Sequence, residues 1–220
     1  MPSIRLSPWL LGLALTCSQA LADTPEQLFQ KFAQCDDGFF RALPAEASTL
    51  ASNLTLAVHD GVASPNVGDR LLEGGRYQAF ATPLEVQGVR LVGYYDEASS
   101  VNGMGDFLFW GFVAEGSVDE VQERLRPLIV DAGRLTKHGE SWARVEMRKV
   151  GDPMLKWRTE GLAGAGVPTP FGQVERVLLV EPGKEPPFNG RVKVMCSLQG
   201  TVTPPLLQVY RPDLNAHLLD

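Results

Sequence analysis

The sequence has few of the residues from which metal and catalytic sites are usually built. Only three cysteines and three histidines occur among its 220 residues. His59, His138 and His217 each stand alone, without a second His, Cys or Glu three or four positions away in an evident ligand arrangement. The sequence therefore predicts no metal site.

Motifs for nucleophiles and phosphate binding are also missing. The string nearest to a nucleophile elbow surrounds Ser117, which is better explained as a helix cap. The glycines at 102–105 precede a predicted strand, and those at 161–166 lack the lysine of a phosphate loop. His59 beside Asp60 resembles an acid–base pair, but a turn closed by the Asp side chain explains it as well. We therefore predict no catalytic residue and no cofactor.

The chain has no excess of positive charge and no long apolar run after its N-terminus. Its 26 acidic residues outnumber 20 basic ones, for a net charge of −6. This balance argues against nucleic acid and anionic membrane surfaces and favours, weakly, a basic protein partner. Because no later segment approaches the roughly 20 apolar residues of a transmembrane helix, we expect no stable membrane insertion.

The first 22 residues have the three parts of a secretory signal peptide. Arg5 supplies the positive charge, residues 9–15 form a short apolar core, and residues 20–22 give a small-x-small cleavage pattern. We predict cleavage between Ala22 and Asp23, which leaves 198 residues with a net charge of −7. The composition and the short signal favour the periplasm of a Gram-negative bacterium.

The cysteines fit an oxidising compartment. Lipidation at Cys17 is disfavoured, because Thr16 occupies the position where a lipobox has Gly, Ala or Ser. Cleavage leaves Cys35 and Cys196, which are 161 positions apart. In an exported protein such a pair favours a disulfide bond, with two buried free thiols as the alternative.

Two helices are well signalled. Thr24, Pro25 and Gln27 form a capping box with proline at the first helical position, and apolar residues then recur at helical spacing up to Phe39. Ser117 caps the second helix, which Pro127 should kink or split and which Gly133 should end. A third, shorter helix is expected within 44–53.

The remaining segments favour β-structure. We expect a strand region over 83–95 with a bulge or bend at Gly88, and a central strand over 106–114. Further strands are predicted at 141–150 and 154–160, with a single short strand in 54–77 and an edge strand at 206–210. Residues 173–180 and 191–198 should pair as a long-looped hairpin.

This order of elements predicts an α+β fold, a mainly antiparallel sheet with two main helices packed on one face. We expect residues 1–22 to be the signal peptide and 23–220 to form a single domain. Two small subdomains with a break near 133–141 are the alternative.

Because the sequence contains no recognisable catalytic motif, we expect an exported, non-enzymatic protein that binds another envelope or periplasmic protein. An inhibitor or immunity protein that blocks a toxin is one form of this hypothesis. The expected contacts for a basic partner are Asp36, Asp37, Asp96 and Glu97, taken as acidic loops. The alternatives are a periplasmic hydrolase acting on an envelope component, and an envelope structural or assembly factor.

Overall fold

A seven-stranded antiparallel sheet forms the body of the protein. The computed structural model describes residues 24–45, 50, 53–159, 169–216 and 218–219. The predicted signal peptide, its cleavage site, Cys17 and His217 lie outside these residues, as does most of the predicted helix at 44–53. The strand order is β3-β4-β5-β9-β8-β7-β6. The strands are β3 (Arg76–Val86), β4 (Val89–Val101), β5 (Gly105–Ala114), β6 (Thr136–His138), β7 (Ser141–Lys149), β8 (Gln173–Pro182) and β9 (Val192–Gly200).

The segment predicted to hold one short strand contains two. β1 (Leu56–His59) and β2 (Val62–Pro65) pair as a separate antiparallel hairpin. Asp60 and Gly61, both with positive φ, make its turn. The predicted hairpin of β8 and β9 is present. The bend expected at Gly88 is the tight turn of another hairpin, in which Gln87 and Gly88 separate β3 from β4, so the single strand region predicted over 83–95 is divided between two strands.

The first helix begins as predicted but ends early. α1 (Pro25–Phe32) starts with the expected capping box, in which the Thr24 hydroxyl accepts from the Gln27 amide. Cys35 then adopts a positive φ of 56°, and the Asp36 carboxylate accepts a bond from the Gly38 amide. This side-chain turn competes with helical hydrogen bonding, so a second helix, α2 (Gly38–Ala42), follows instead of one continuous helix.

The N-terminal helices cover one face of the sheet through aromatic packing. The Phe32 and Phe112 ring centroids lie 4.9 Å apart, and those of Phe39 and Phe112 lie 5.9 Å apart. The break at Cys35 places its sulfur next to β9, where it forms a disulfide with Cys196 over a Cα–Cα distance of 5.2 Å. The predicted disulfide is therefore confirmed.

The second predicted helix is also short. α3 (Val118–Leu125) begins after Ser117, whose hydroxyl accepts from the Glu120 amide. Pro127 ends the α-helix, and a 3₁₀ turn at Arg126–Leu128 follows it. Gly133 does not stop this helix, because it lies in a separate 3₁₀ turn, Ala132–Arg134.

Two predicted strands are wrong. Residues 154–160 form no strand in their described part, where only Arg158 bridges to Met147 of β7. The predicted edge strand at 206–210 belongs to a helix, α4 (Pro204–Tyr210). Pro204 takes the first helical position, and its fixed φ favours helix over the apparent strand pattern.

The fold class is thus confirmed as mixed helix and strand with a mainly antiparallel sheet. The prediction of two main helices is not confirmed. The longest described helices, α1 and α3, have eight residues each. No helix in the described ranges has the length and apolar character needed to cross a membrane.

Candidate functional site

Asp96 and Glu97 do not form an acidic loop. Both lie inside β4, so their side chains project to opposite faces of the sheet. Asp96 is fully buried on the helix-covered face, and its prediction as a partner contact is therefore wrong. The sequence could not indicate this burial, because the partner that makes it tolerable, Arg211, lies 115 positions away.

Asp96 belongs to a buried ionic cluster. The Arg211 guanidinium binds Asp96 through Nη2 at 2.9 Å and Asp213 through Nε at 2.8 Å. Arg70 approaches the same two carboxylates at 3.9 and 3.7 Å, so two arginines balance two aspartates. Burial raises the pKa of Asp96, and the two arginines oppose that rise. The cluster joins the C-terminal segment to β4 and has a structural role.

Two aromatic rings pack against the Arg211 guanidinium. Its guanidinium carbon lies 4.7 Å from the Phe40 ring centroid and 4.8 Å from that of Trp110. Trp110 is the cross-strand partner of Cys196, so the cluster and the disulfide share one part of the core.

Asp36 and Asp37, the other predicted contacts, lie at the surface between α1 and α2. Asp36 is half-buried and closes the turn before α2. Asp37 keeps 34% of its side chain exposed and pairs with Arg41. Both carboxylates therefore remain accessible in part, although each already has an intramolecular contact.

Glu97 lines an open cleft of about 400 Å³ on the opposite face of the sheet. The hydroxyl of Tyr95 donates to Glu97, and Lys193 binds Glu181 at 2.6 Å. Burial, and then the neighbouring Glu97 carboxylate, raises the pKa of Tyr95 far above its usual range, so the phenol stays protonated. Phe188 closes one wall. The cleft is thus acidic and polar, but Glu97 already accepts from Tyr95 and Glu181 already pairs with Lys193.

A second cavity, of about 200 Å³, opens where β7 and β8 meet α4. Large apolar side chains are exposed on the two segments that border it. Phe171 is 96% exposed and Leu155 is 82% exposed. The Val150 amide donates to the Gly172 carbonyl at 2.9 Å, which holds the two segments side by side. We call the following four exposed residues the apolar rim: Val150, Met154, Leu155 and Phe171.

Arg148 lines this second cavity and is only 3% exposed. Its guanidinium donates to two backbone carbonyls, those of Asp152 and Met154, and also approaches the Met154 sulfur. Its Nε has no hydrogen-bond partner in the described part of the chain. Sequence reasoning missed this residue, because an arginine in a β-strand is ordinarily solvent-exposed.

The histidines in the described ranges take no part in these sites. His59 lies 4.0 Å from Asp60 at the exposed tip of the β1–β2 hairpin, and His138 contacts Thr136 at the edge of the sheet. Among the described residues, no group of three or more His, Cys, Asp or Glu side chains is arranged to hold a metal ion.

Comparison with known protein families, curated proteins and solved structures finds no match for this chain. The two cavities and the surfaces around them are therefore the features from which a function can be inferred.

Proposed function

We propose that this chain is an exported, non-enzymatic protein that binds a second protein of the bacterial envelope. The apolar rim is the observation that carries this proposal. Single exposed apolar residues are ordinary on protein surfaces, whereas several grouped around one cavity are typical of contact surfaces. The side chains of Phe171 and Leu155 are largely exposed to solvent, so a partner could bury both without rearranging the core.

Two features support export. The sequence of residues 1–22 has the pattern of a signal peptide. The Cys35–Cys196 disulfide is typical of an oxidising compartment. We therefore propose the periplasm as the location in which the partner is met.

One form of the proposal is an inhibitor or immunity protein that blocks an envelope toxin. Asp36, Asp37 and Glu97 would then offer secondary contacts to basic residues of the toxin. This form predicts that deleting the gene sensitises cells to one specific toxin. A general loss of envelope integrity without toxin sensitivity would instead favour an assembly factor.

Capture from envelope extract tests the proposal. The oxidised protein should recover a stoichiometric partner, and the Leu155→Ser/Phe171→Ser variant should lose it. The matched control is Val58→Ser/Leu72→Ser, which changes two exposed apolar residues elsewhere on the surface. Equal recovery by both variants, or no stoichiometric partner under any growth condition, would contradict the proposal.

A hydrolase is the second candidate, because Glu97 and Glu181 line the same polar cleft. Two carboxylates are the minimum that glycoside hydrolysis requires. We expect no release of reducing ends when the protein is incubated with purified peptidoglycan. Release by the wild type that Glu97→Gln abolishes would establish the enzyme and overturn the non-enzymatic proposal.

A further inference from the structure

The apolar rim places projecting side chains directly beside a cavity. Phe171 is 96% exposed and Leu155 is 82% exposed, so both extend into solvent. Val150 lines the cavity, and its amide donates to the carbonyl of Gly172, the neighbour of Phe171. Met154, the neighbour of Leu155, lines the cavity as well. Each projecting side chain therefore lies within one or two residues of the cavity wall.

The cavity has the size and the lining to hold a phenylalanine ring. A cavity of about 150 Å³ with aliphatic walls is sufficient for benzene, and this one measures about 200 Å³. Its apolar lining comes from Val150, Met154, Val174 and Leu206. Arg148 and Asp152 also line it, but the guanidinium donates to backbone carbonyls and the carboxylate pairs with Arg158. The surface left for an occupant is therefore mainly apolar.

A projection beside a cavity of matching size is complementary to itself. In a dimer with two-fold symmetry every contact occurs twice, because a residue of one copy meets its contact on the other copy and the reverse. When the axis lies in the plane of the interface, midway between Phe171 and the cavity, Phe171 of each copy enters the cavity of the other. The short separation between the two features on one surface is the only geometric requirement.

We propose that the apolar rim binds a second copy of this chain, with Phe171 of each copy seated in the cavity of the other. Two projecting side chains per copy make a contact smaller than the roughly 1,200 Å² of stable complexes, so the dimer is weak and depends on concentration. Lys149 and Lys156 are exposed beside the rim, and their long stems let the ammonium groups stay in water at the border of the contact.

The dimer goes beyond the proposed function, because it gives the rim an occupant when no other protein is bound. A protein partner that uses Phe171 and Leu155 excludes the second copy. The two forms therefore exchange at one surface, and the weakness of the dimer lets the partner displace it.

Sedimentation equilibrium of the oxidised protein tests the dimer. We expect a reversible monomer–dimer equilibrium, which Phe171→Ser weakens at least about tenfold, as the loss of a buried aromatic anchor implies. Val58→Ser is the matched control, since it changes an exposed valine on the β1–β2 hairpin and should leave the equilibrium unchanged. A wild type that stays monomeric up to about 1 mM would overturn the proposal.

Thr203→Trp removes the cavity instead of the projection. Thr203 lines the cavity, is half-buried and makes no side-chain capping bond to α4, so a larger side chain fills the cavity without the loss of a hydrogen bond. This variant should also weaken the dimer at least about tenfold. Unchanged dimerisation in Thr203→Trp or in Phe171→Ser would contradict the proposed contact.

An equal mixture of these two variants gives the sharpest test. Phe171→Ser keeps an open cavity and Thr203→Trp keeps the projecting ring, so a mixed dimer retains one complete contact. We expect the mixture to associate more tightly than either variant alone, and this recovery also requires both chains to be folded. A mixture that associates no better than the separate variants would overturn the proposal.

Failure of this inference and failure of the proposed function give different results. Thr203→Trp retains Phe171 and Leu155, so it should capture the partner at least as well as the wild type although it no longer dimerises. A monomeric wild type whose capture is lost in Leu155→Ser/Phe171→Ser would reject the dimer and retain the proposed function. A dimer with the expected mixing behaviour, combined with capture that the rim variants leave unchanged, would retain this inference and reject the proposed function.

Discussion

Two arginines, both almost completely buried, lie in very different surroundings. Arg211 has two carboxylates within hydrogen-bond distance and two aromatic rings packed against its guanidinium. Arg148 is 3% exposed, its bonds go to backbone carbonyls and a thioether, and the Trp157 ring centroid lies 5.8 Å away. Each region keeps one buried nitrogen without a partner among the described residues, Nε1 of Trp110 and Nε of Arg148, but only Arg148 has no carboxylate bound to it and lines a cavity.

The surroundings of the two arginines also differ in their exposure to solvent. The Arg211 cluster lies under helices and shares its part of the core with the disulfide. Arg148 lies beside a cavity whose border exposes Phe171 and Leu155. Ion pairing under the helices indicates a structural role for Arg211, whereas the exposed apolar residues beside the cavity make the Arg148 region the candidate surface for binding.

Arg211→Met should cause the largest loss of stability. It leaves Asp96 and Asp213 buried with only the more distant Arg70, so we expect the free energy of unfolding in urea to fall by about 3–5 kcal/mol. Arg90→Met is the matched control, because Arg90 pairs with Glu115 at the surface and should cost at most about 1 kcal/mol. Similar losses in both variants would contradict a structural role for the cluster.

Cys35→Ala/Cys196→Ala should lower the free energy of unfolding by about 2–5 kcal/mol, because the bond closes a long loop between α1 and β9. Urea unfolding of the variant should match that of the wild type in reductant. A wild type that is insensitive to reductant would show that the disulfide does not stabilise this region.

Arg148→Met should be milder, at about 1–3 kcal/mol in the same urea assay. It removes hydrogen bonds to two carbonyls at a surface turn but leaves no carboxylate buried without a cation. A loss of stability equal to that of Arg211→Met would remove the distinction between the two arginines.

Glu175 extends the comparison to a buried carboxylate. Its substitution should change the free energy of unfolding less than the substitutions above. It is buried, its Oε1 has no partner among the described residues, and burial raises its pKa, an effect that nearby Thr169 offsets only in part. The native state therefore binds the proton more tightly than the unfolded state, so this group lowers stability as pH rises through its raised pKa.

Glu175→Gln should accordingly be more stable than the wild type at pH 7. The difference should shrink as pH falls below the ordinary carboxyl value of 4.5. Unfolding free energies measured across this range would test the sign, and an advantage of the variant that grows at low pH would contradict it.

Local signals predicted the beginnings of elements better than their lengths. The Thr24 capping box and the split of the second helix at Pro127 depend on neighbouring residues alone, and both occur where expected. The sequence did not predict the break at Cys35, where the chain takes a positive φ and the Asp36 carboxylate accepts from the Gly38 amide. The helix at Pro204–Tyr210 was missed because alternating apolar residues outweighed a proline at the first helical position.

The candidate site was harder to predict, because it depends on contacts between distant segments. The burial of Asp96 requires Arg211 and Asp213 from the other end of the chain. Leu155 belongs to a segment that was expected to be a strand, and only the packed structure shows that it and Phe171 remain exposed. Arg148 has no sequence signature, since its burial depends on the following turn, whose Asp152 and Met154 carbonyls accept from its guanidinium.

Site-specific photo-crosslinking in living cells tests the central contrast most directly. A photoreactive phenylalanine analogue is placed at Phe171 on the apolar rim, at Phe188 in the acidic cleft, or at Val58 on the distant hairpin. We predict one discrete adduct from position 171 that Leu155→Ser weakens or abolishes, and none from position 58. An adduct from position 188 without one from position 171 would contradict it, because the partner would then bind the acidic cleft.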